Sequence, residues 1–264
     1  MLQGLQRRVG VIALIVLLCG TMPNEATATA VASSANFTVL APTQRLADMV
    51  VGHADAFRSQ IAKEWLGGDL PPALHPAAIS IEIDATRSFA RTLIDANDGR
   101  HLVWLVGSEQ AVTEYLLQHE VAHVVLAARY GDSMPAWANE GIASRYDNPR
   151  RHQIRQQQLA GFVSIDSWPH LDRLLDEPIR QPWDYAAAVS LTNYLDELGG
   201  REKFLDFVRC GSERGWPIAL RTHYGLDSVA DLEYEWHRSV RACFAEPAIS
   251  ARLSPARVSA RWTR

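Results

Sequence analysis

Two histidines four residues apart, His119 and His123, enclose Glu120 in the run Leu117-Gln118-His119-Glu120-Val121-Ala122-His123. On a helix, residues at this spacing lie one above the other on the same face. Two imidazoles so placed converge on one point, which is how a zinc ion is commonly held. Glu120 follows the first histidine directly, a position that suits a base acting on water rather than a metal ligand. A second stretch, Trp137-Ala138-Asn139-Glu140-Gly141, offers Glu140 as the third ligand. Three protein ligands leave a fourth position open, the mark of a catalytic rather than a structural zinc site. The expected chemistry is hydrolysis, of peptide bonds first of all, with one Zn2+ as cofactor and Glu120 as general base.

Such a site needs a helix under the histidines, and the sequence provides one. Residues 111–130 contain no Gly or Pro, and they carry Leu116, Leu117, Val121, Val124, Val125 and Leu126. A helix with so little polar surface is buried, and its histidines with it. Burying two histidines and two glutamates in apolar surroundings is costly unless a metal or mutual pairing compensates them. Gly131 is a natural helix stop, and Ser133 and Pro135 suit the start of the next helix, which carries Glu140 in its first two turns.

Upstream, residues 36–40 read as a short strand and 45–66 as a helix, followed by a loop marked by Gly67, Gly68, Pro71, Pro72 and Pro76. Ile79, Ile81 and Ile83 alternate with Ser80, Glu82 and Asp84, the pattern of a half-buried strand. Residues 101–106 are also β-rich, and as an edge strand they would offer backbone to an extended peptide. The fold class expected is α+β, with a small N-terminal sheet packed on the motif helix and a mainly helical remainder. That remainder comprises a polar Arg- and Gln-rich stretch at 151–159, read as a solvated face, and helices at 185–198 and 201–209 separated by Gly199-Gly200. A last helix opens at Ser228 with a capping-box pattern and carries Leu232, Trp236 and Val240 at helical spacing.

The 264 residues, 47% of them hydrophobic with a net charge of −4, are enough for one sizeable core and show no nucleic-acid footprint. Arg7 and Arg8, an apolar run over 9–19, and small residues at Ala26, Ala28 and Ala30 form a secretory signal pattern. Residues 1–30 are therefore expected to be a signal peptide, and the mature protein to be exported, periplasmic or secreted. The run is too short to span a bilayer comfortably, so no stable membrane span is expected once it is removed. After its removal Cys210 and Cys243 remain, and a bridge between them and two free thiols are equally open. Residues 246–264, with Arg252, Arg257, Arg261 and Arg264 and no acidic residue beyond Glu246, read as a basic, disordered tail.

The two motifs together, His119-Glu120-Val121-Ala122-His123 and Trp137-Ala138-Asn139-Glu140-Gly141-Ile142-Ala143-Ser144, resemble the gluzincin metallopeptidases, and most of all the smaller exported peptidase MA-like proteins of that clan. The resemblance is close over residues 107–146. It implies a metallopeptidase domain over 31–245 with a thermolysin-like catalytic frame, zinc ligands at His119, His123 and Glu140, and Glu120 as base. The G-x-M-E-N motif of the aminopeptidase N family has no counterpart at residues 104–109, and the extra histidine of the metzincins is absent. Neither endo- nor exopeptidase action follows from these residues. Asn139, beside a ligand, is a candidate supporting residue. Tyr185 is a candidate donor to the oxyanion, although a place on an amphipathic helix is more often a packing position. His101, His152 and His223 show no ligand spacing and read as surface or packing residues. The alternative from another class is a catalytically silent binding or structural module that keeps zinc for stability.

Overall fold

The computed structural model describes residues 29–94 and 100–253. The first 28 residues of the expected signal peptide and residues 254–264 of the expected tail lie outside the described residues. Among the described residues, no helix is long and apolar enough to cross a membrane.

The N-terminal part is a five-stranded mixed sheet in the order β1-β2-β3-β5-β4, built from β1 (Ala30–Ser33), β2 (Phe37–Ala41), β3 (Ala77–Ile83), β4 (Phe89–Ile94) and β5 (His101–Gly107). β2, β3 and β5 run parallel, whereas β1 and β4 are antiparallel additions at the two edges. The register places Val39 beside Ile79, Ile79 beside Val103, and Ile81 beside Leu105. All of these are buried, so one face of the sheet is continuous apolar surface. The opposite face carries Ser80 and Trp104 in register, and Trp104 is half-exposed. The alternation read along 79–84 is thus the alternation of the folded strand, except that Ile83 at its end is also half-exposed.

Helix α1 (Gln44–Leu66) returns across the buried face. Thr43 caps it by accepting from the Leu46 N–H, and Gly67 ends it in the left-handed conformation. A short helical turn, Glu109–Ala111, and a π-helical segment, Val112–Leu116, lead into α2 (Leu117–Tyr130), which carries both histidines and packs on α1. The sequence predicts one uninterrupted helix here; the π turn is a local widening just before the motif, a place where such turns are often found near functional sites. Gly131, with φ of 56°, ends α2.

Helices then follow in series: α3 (Ala136–Ala143), α4 (Pro149–Ile165), α5 (Leu171–Asp176), α6 (Pro182–Arg214), α7 (Trp216–Tyr224) and α8 (Val229–Leu253). The architecture is therefore a mixed α/β one, a five-stranded sheet followed by a mostly helical remainder. α6 is broken at Gly200, whose φ of 78° lies outside the helical region, where the sequence places a stop. α8 runs on to Leu253, eight residues into the segment read as a tail. Trp137, Phe204, Phe207 and Trp216 form an edge-to-face and tilted aromatic cluster that joins α3 to α6 and α7. Cys210 is buried and Cys243 exposed, and the two are free thiols, which settles the open choice against a bridge.

Two strands escape the sequence reading. β1 is too short and Ala-rich to show a pattern. β4 mixes Phe89, Arg91, Thr92 and Leu93 without clean alternation, and its apolar Phe89 and Leu93 are exposed rather than buried. Its presence moves the edge of the sheet. β5, residues 101–107, is an interior strand between β3 and β4, and the edge next to the site is β4.

Candidate metal centre

His119, His123 and Glu140 each bring one ligand atom to a common place, and these atoms all lie within 4.8 Å of one another. The two histidines come from successive turns of α2, and their Nε2 atoms are 3.2 Å apart. Glu140, from α3, sets Oε2 3.7 Å from His119 Nε2 and Oε1 3.8 Å from His123 Nε2. The spacing read from the sequence is thus realised as one cluster.

Behind each imidazole the other ring nitrogen meets a side-chain oxygen. His123 Nδ1 is 3.0 Å from Asn139 Oδ1; an amide oxygen only accepts, so this nitrogen carries the proton and Nε2 is left as a ligand. His119 Nδ1 lies 3.3 Å from Asp147 Oδ1, an ion-pair contact rather than a well-aligned hydrogen bond. A carboxylate or amide behind a ligating imidazole is the usual support of a metal-bound histidine. Asn139 was legible beside Glu140. Asp147 was not.

Asp147 follows the short 3-10 turn Ser144–Tyr146 after α3, and its side chain is fully buried. Arg155 pairs with it, and Arg151 donates to it at 2.9 Å. Both arginines stand on α4, four and eight residues beyond Asp147 and hence on one helix face. The stretch read as a solvated face therefore turns two of its cations inward. Burial alone would raise the Asp147 pKa, but His119 and the two guanidiniums outweigh it and hold the carboxyl well below the usual range. Burial would likewise lower the His119 pKa, and contact with Asp147, aided by the charges of Glu120 and Glu140, raises it instead. Three carboxylates around one buried and one part-buried imidazole leave a site that favours positive charge at the point of convergence. Two nitrogen donors and one carboxylate are a donor set suited to zinc, so the residues present fit a metal ion.

Glu120 is buried but does not belong to the ligand cluster. Thr92 Oγ1, on β4, donates to its Oε2 at 2.5 Å. The register places Thr92 opposite buried Val103, on the sheet face that looks at α2. The second carboxylate oxygen has no hydrogen bond within the protein among the described residues.

The cluster sits in a cleft of about 980 Å3. One wall is β4 from Ser88 to Thr92; the floor is α2 with His119, Glu120 and His123; the far wall comes from α3, α4 and the start of α6. Tyr185 lines it, and burial, together with the negative charge of Glu140 and Glu120, raises the phenol's pKa, so it remains a proton donor. His101 also lines the cleft, whereas the sequence reads it as a surface or packing residue. Its position at the start of β5, opposite Ile94 at the end of β4, brings it there. His152 lies in a separate small pocket against α6 and α8, and His223 is part-buried on α7, so neither joins the cluster.

Gly141 explains how α3 can bring Glu140 in. A Cβ at this position would lie 2.1 Å from Thr192 Oγ1 and 2.9 Å from the Ala188 carbonyl oxygen of α6. The helix pair approaches closely only because the side chain is absent. The chain matches no protein-family model and no curated protein sequence.

Proposed function

We propose that the protein is an exported zinc metallopeptidase of the gluzincin type, with a thermolysin-like arrangement of sheet, motif helix and glutamate helix. The observation that carries this reading is the separation of roles among neighbouring side chains. His119, His123 and Glu140 converge as ligands, with Asp147 and Asn139 behind the imidazoles, while Glu120 stands beside them with one oxygen held by Thr92 and the other without a hydrogen bond among the described residues.

His119, His123 and Glu140 would hold the ion, which when bound supplies Lewis acidity and makes water acidic enough to attack near neutral pH. Glu120 takes up the proton released in the attack and returns it to the departing amine. Thr92 holds Oε2, so that Oε1 faces the reacting atoms in a fixed orientation. Tyr185, protonated and in the cleft wall, donates toward the oxygen on which negative charge develops. β4, the edge of the sheet beside the cleft, offers unpaired backbone groups along which an extended peptide can lie. At about 980 Å3 the cleft has room for more than a small amide.

The reading is tested by removing and restoring the metal. Chelator-treated protein should lose hydrolysis of casein or of a mixed peptide library, and one equivalent of zinc should restore it. Hydrolysis that survives full zinc removal would sink the proposal. Zinc binding without hydrolysis of any peptide would favour a silent zinc-containing module of the same fold.

A further inference from the structure

Among the described residues that line it, the cleft is charged in one sense away from the metal cluster. Its walls contain four arginines, Arg91, Arg151, Arg155 and Arg180, and its two lining glutamates are Glu120 and Glu140 of the centre itself. This is local, because the chain as a whole carries a net charge of −4. Arg155 is spent on Asp147, and Arg151 engages Asp147 through one guanidinium nitrogen, leaving its other donors free. Arg91 and Arg180 are exposed, and neither forms an ion pair among the described residues. Arg91 is on β4 in register with Trp104, on the sheet face that looks away from α2. Arg180 is on the far wall of the cleft, just before α6 and five residues from Tyr185.

Arg180, together with the donors of Arg151 that Asp147 leaves unused, gives this wall of the cleft an excess of positive charge. A guanidinium presents a planar fork of donors that matches a carboxylate. A concave site lined by one sign of charge also concentrates ligands of the other sign. Apolar neighbours in the same walls, Met134 and Ile154, would cover the remainder of an extended chain.

We infer that the cleft selects peptides carrying a carboxylate near the scissile bond, a Glu or Asp side chain, with Arg180 as the principal recognition residue and Arg151 as a supporting charge. The inference rests on the peptidase reading for the identity of the ligand, and on the arginines alone for its charge.

The test uses the zinc-loaded protein and pairs of peptides that differ only by Glu against Gln at each position flanking the bond. Wild type should favour the acidic member by about tenfold in kcat/KM at low ionic strength, the size of one charge-assisted contact in a partly desolvated site. The preference should shrink as salt is raised. Arg180→Gln should reduce the ratio of acidic to neutral kcat/KM at least fivefold, and Arg180→Lys should restore part of it. Binding of the same fluorescent peptides to zinc-loaded Glu120→Gln separates recognition from turnover. Tighter binding of the acidic member without turnover by wild type would uphold the anion site and remove the peptidase reading. Equal binding and equal cleavage of both members would overturn the inference and leave the peptidase reading standing.

Discussion

Thr92 Oγ1 donates to Glu120 Oε2 at 2.5 Å, linking the edge strand of the sheet to the carboxylate assigned as general base. The link joins two parts of the chain that the sequence does not connect, because β4 shows no strand pattern and Thr92 no motif. It predicts a positioning role. Thr92→Val keeps a β-branched side chain in the strand but removes the donor, and should lower kcat about tenfold with little change in KM. Thr92→Ser keeps the hydroxyl and should retain most of the activity. Equal kcat values in wild type and Thr92→Val, at equal zinc content, would refute the role.

Asp147 supports His119 from behind while Arg151 and Arg155 hold Asp147. Asp147→Asn keeps the shape but removes the charge, and should weaken zinc binding by about 10–100-fold. Asn139→Ala should weaken it in the same range by releasing His123 Nδ1. Competition titration with a chromogenic chelator measures both. Unchanged zinc affinity in the two variants would show that the histidines need no such support.

Gly141→Ala places a methyl group 2.1 Å from Thr192 Oγ1 on the facing helix. Helix α3 must then move away from α6, taking Glu140 with it. A loss of about 1–3 kcal/mol in stability is expected, together with weaker zinc binding. Adding Thr192→Ala should recover part of the stability but not all, because the Ala188 carbonyl oxygen also lies within 2.9 Å of the new methyl group. Thermal melts of the apo forms, with and without added zinc, read both effects. A Gly141→Ala protein as stable as wild type would mean that the helices can part freely.

A pH dependence is expected far from the centre. His237 on α8 stacks on Trp168, with ring centroids 3.9 Å apart, and burial, reinforced by Arg241 and opposed by Asp166, lowers its pKa to about 4. The folded protein therefore keeps this ring neutral while the unfolded chain protonates near 6.5. The stability that the neutral ring preserves is fully present above pH 6.5 and is lost as pH falls toward 4. After allowance for the ring's partial exposure, the loss is on the order of 1 kcal/mol. Denaturant melts between pH 7 and 4 should show this slope in wild type and a shallower one in His237→Gln. Parallel slopes in the two proteins would contradict the assignment.

The sequence made the ligand set legible because helical spacing and apolar flanks are local properties. His119 and His123 are read from one helix, and Glu140 from the next motif. The strand at 79–83, the helix 44–66 and the break at Gly200 were legible for the same reason: each has its own periodicity or its own glycine. What escaped depends on contacts between distant segments. β4 is defined by pairing with β5, Asp147 by the face of α4 that meets it, and His101 by the end of the strand ladder. The arginines at 151 and 155 look solvated in a polar run, and only the buried carboxylate four and eight residues before them turns them inward. The gluzincin reading proposed above rests on the residues of two motifs and the cluster they form.

The most direct measurement is zinc content and peptide hydrolysis for the wild-type protein beside Glu120→Gln and Glu140→Gln. The account predicts one zinc per chain in wild type and in Glu120→Gln, with hydrolysis abolished in the latter, because Glu120 acts from outside the ligand set. Glu140→Gln should lose both zinc and hydrolysis. Zinc lost with Glu120→Gln, or hydrolysis kept by it, would contradict the division of roles on which the account stands.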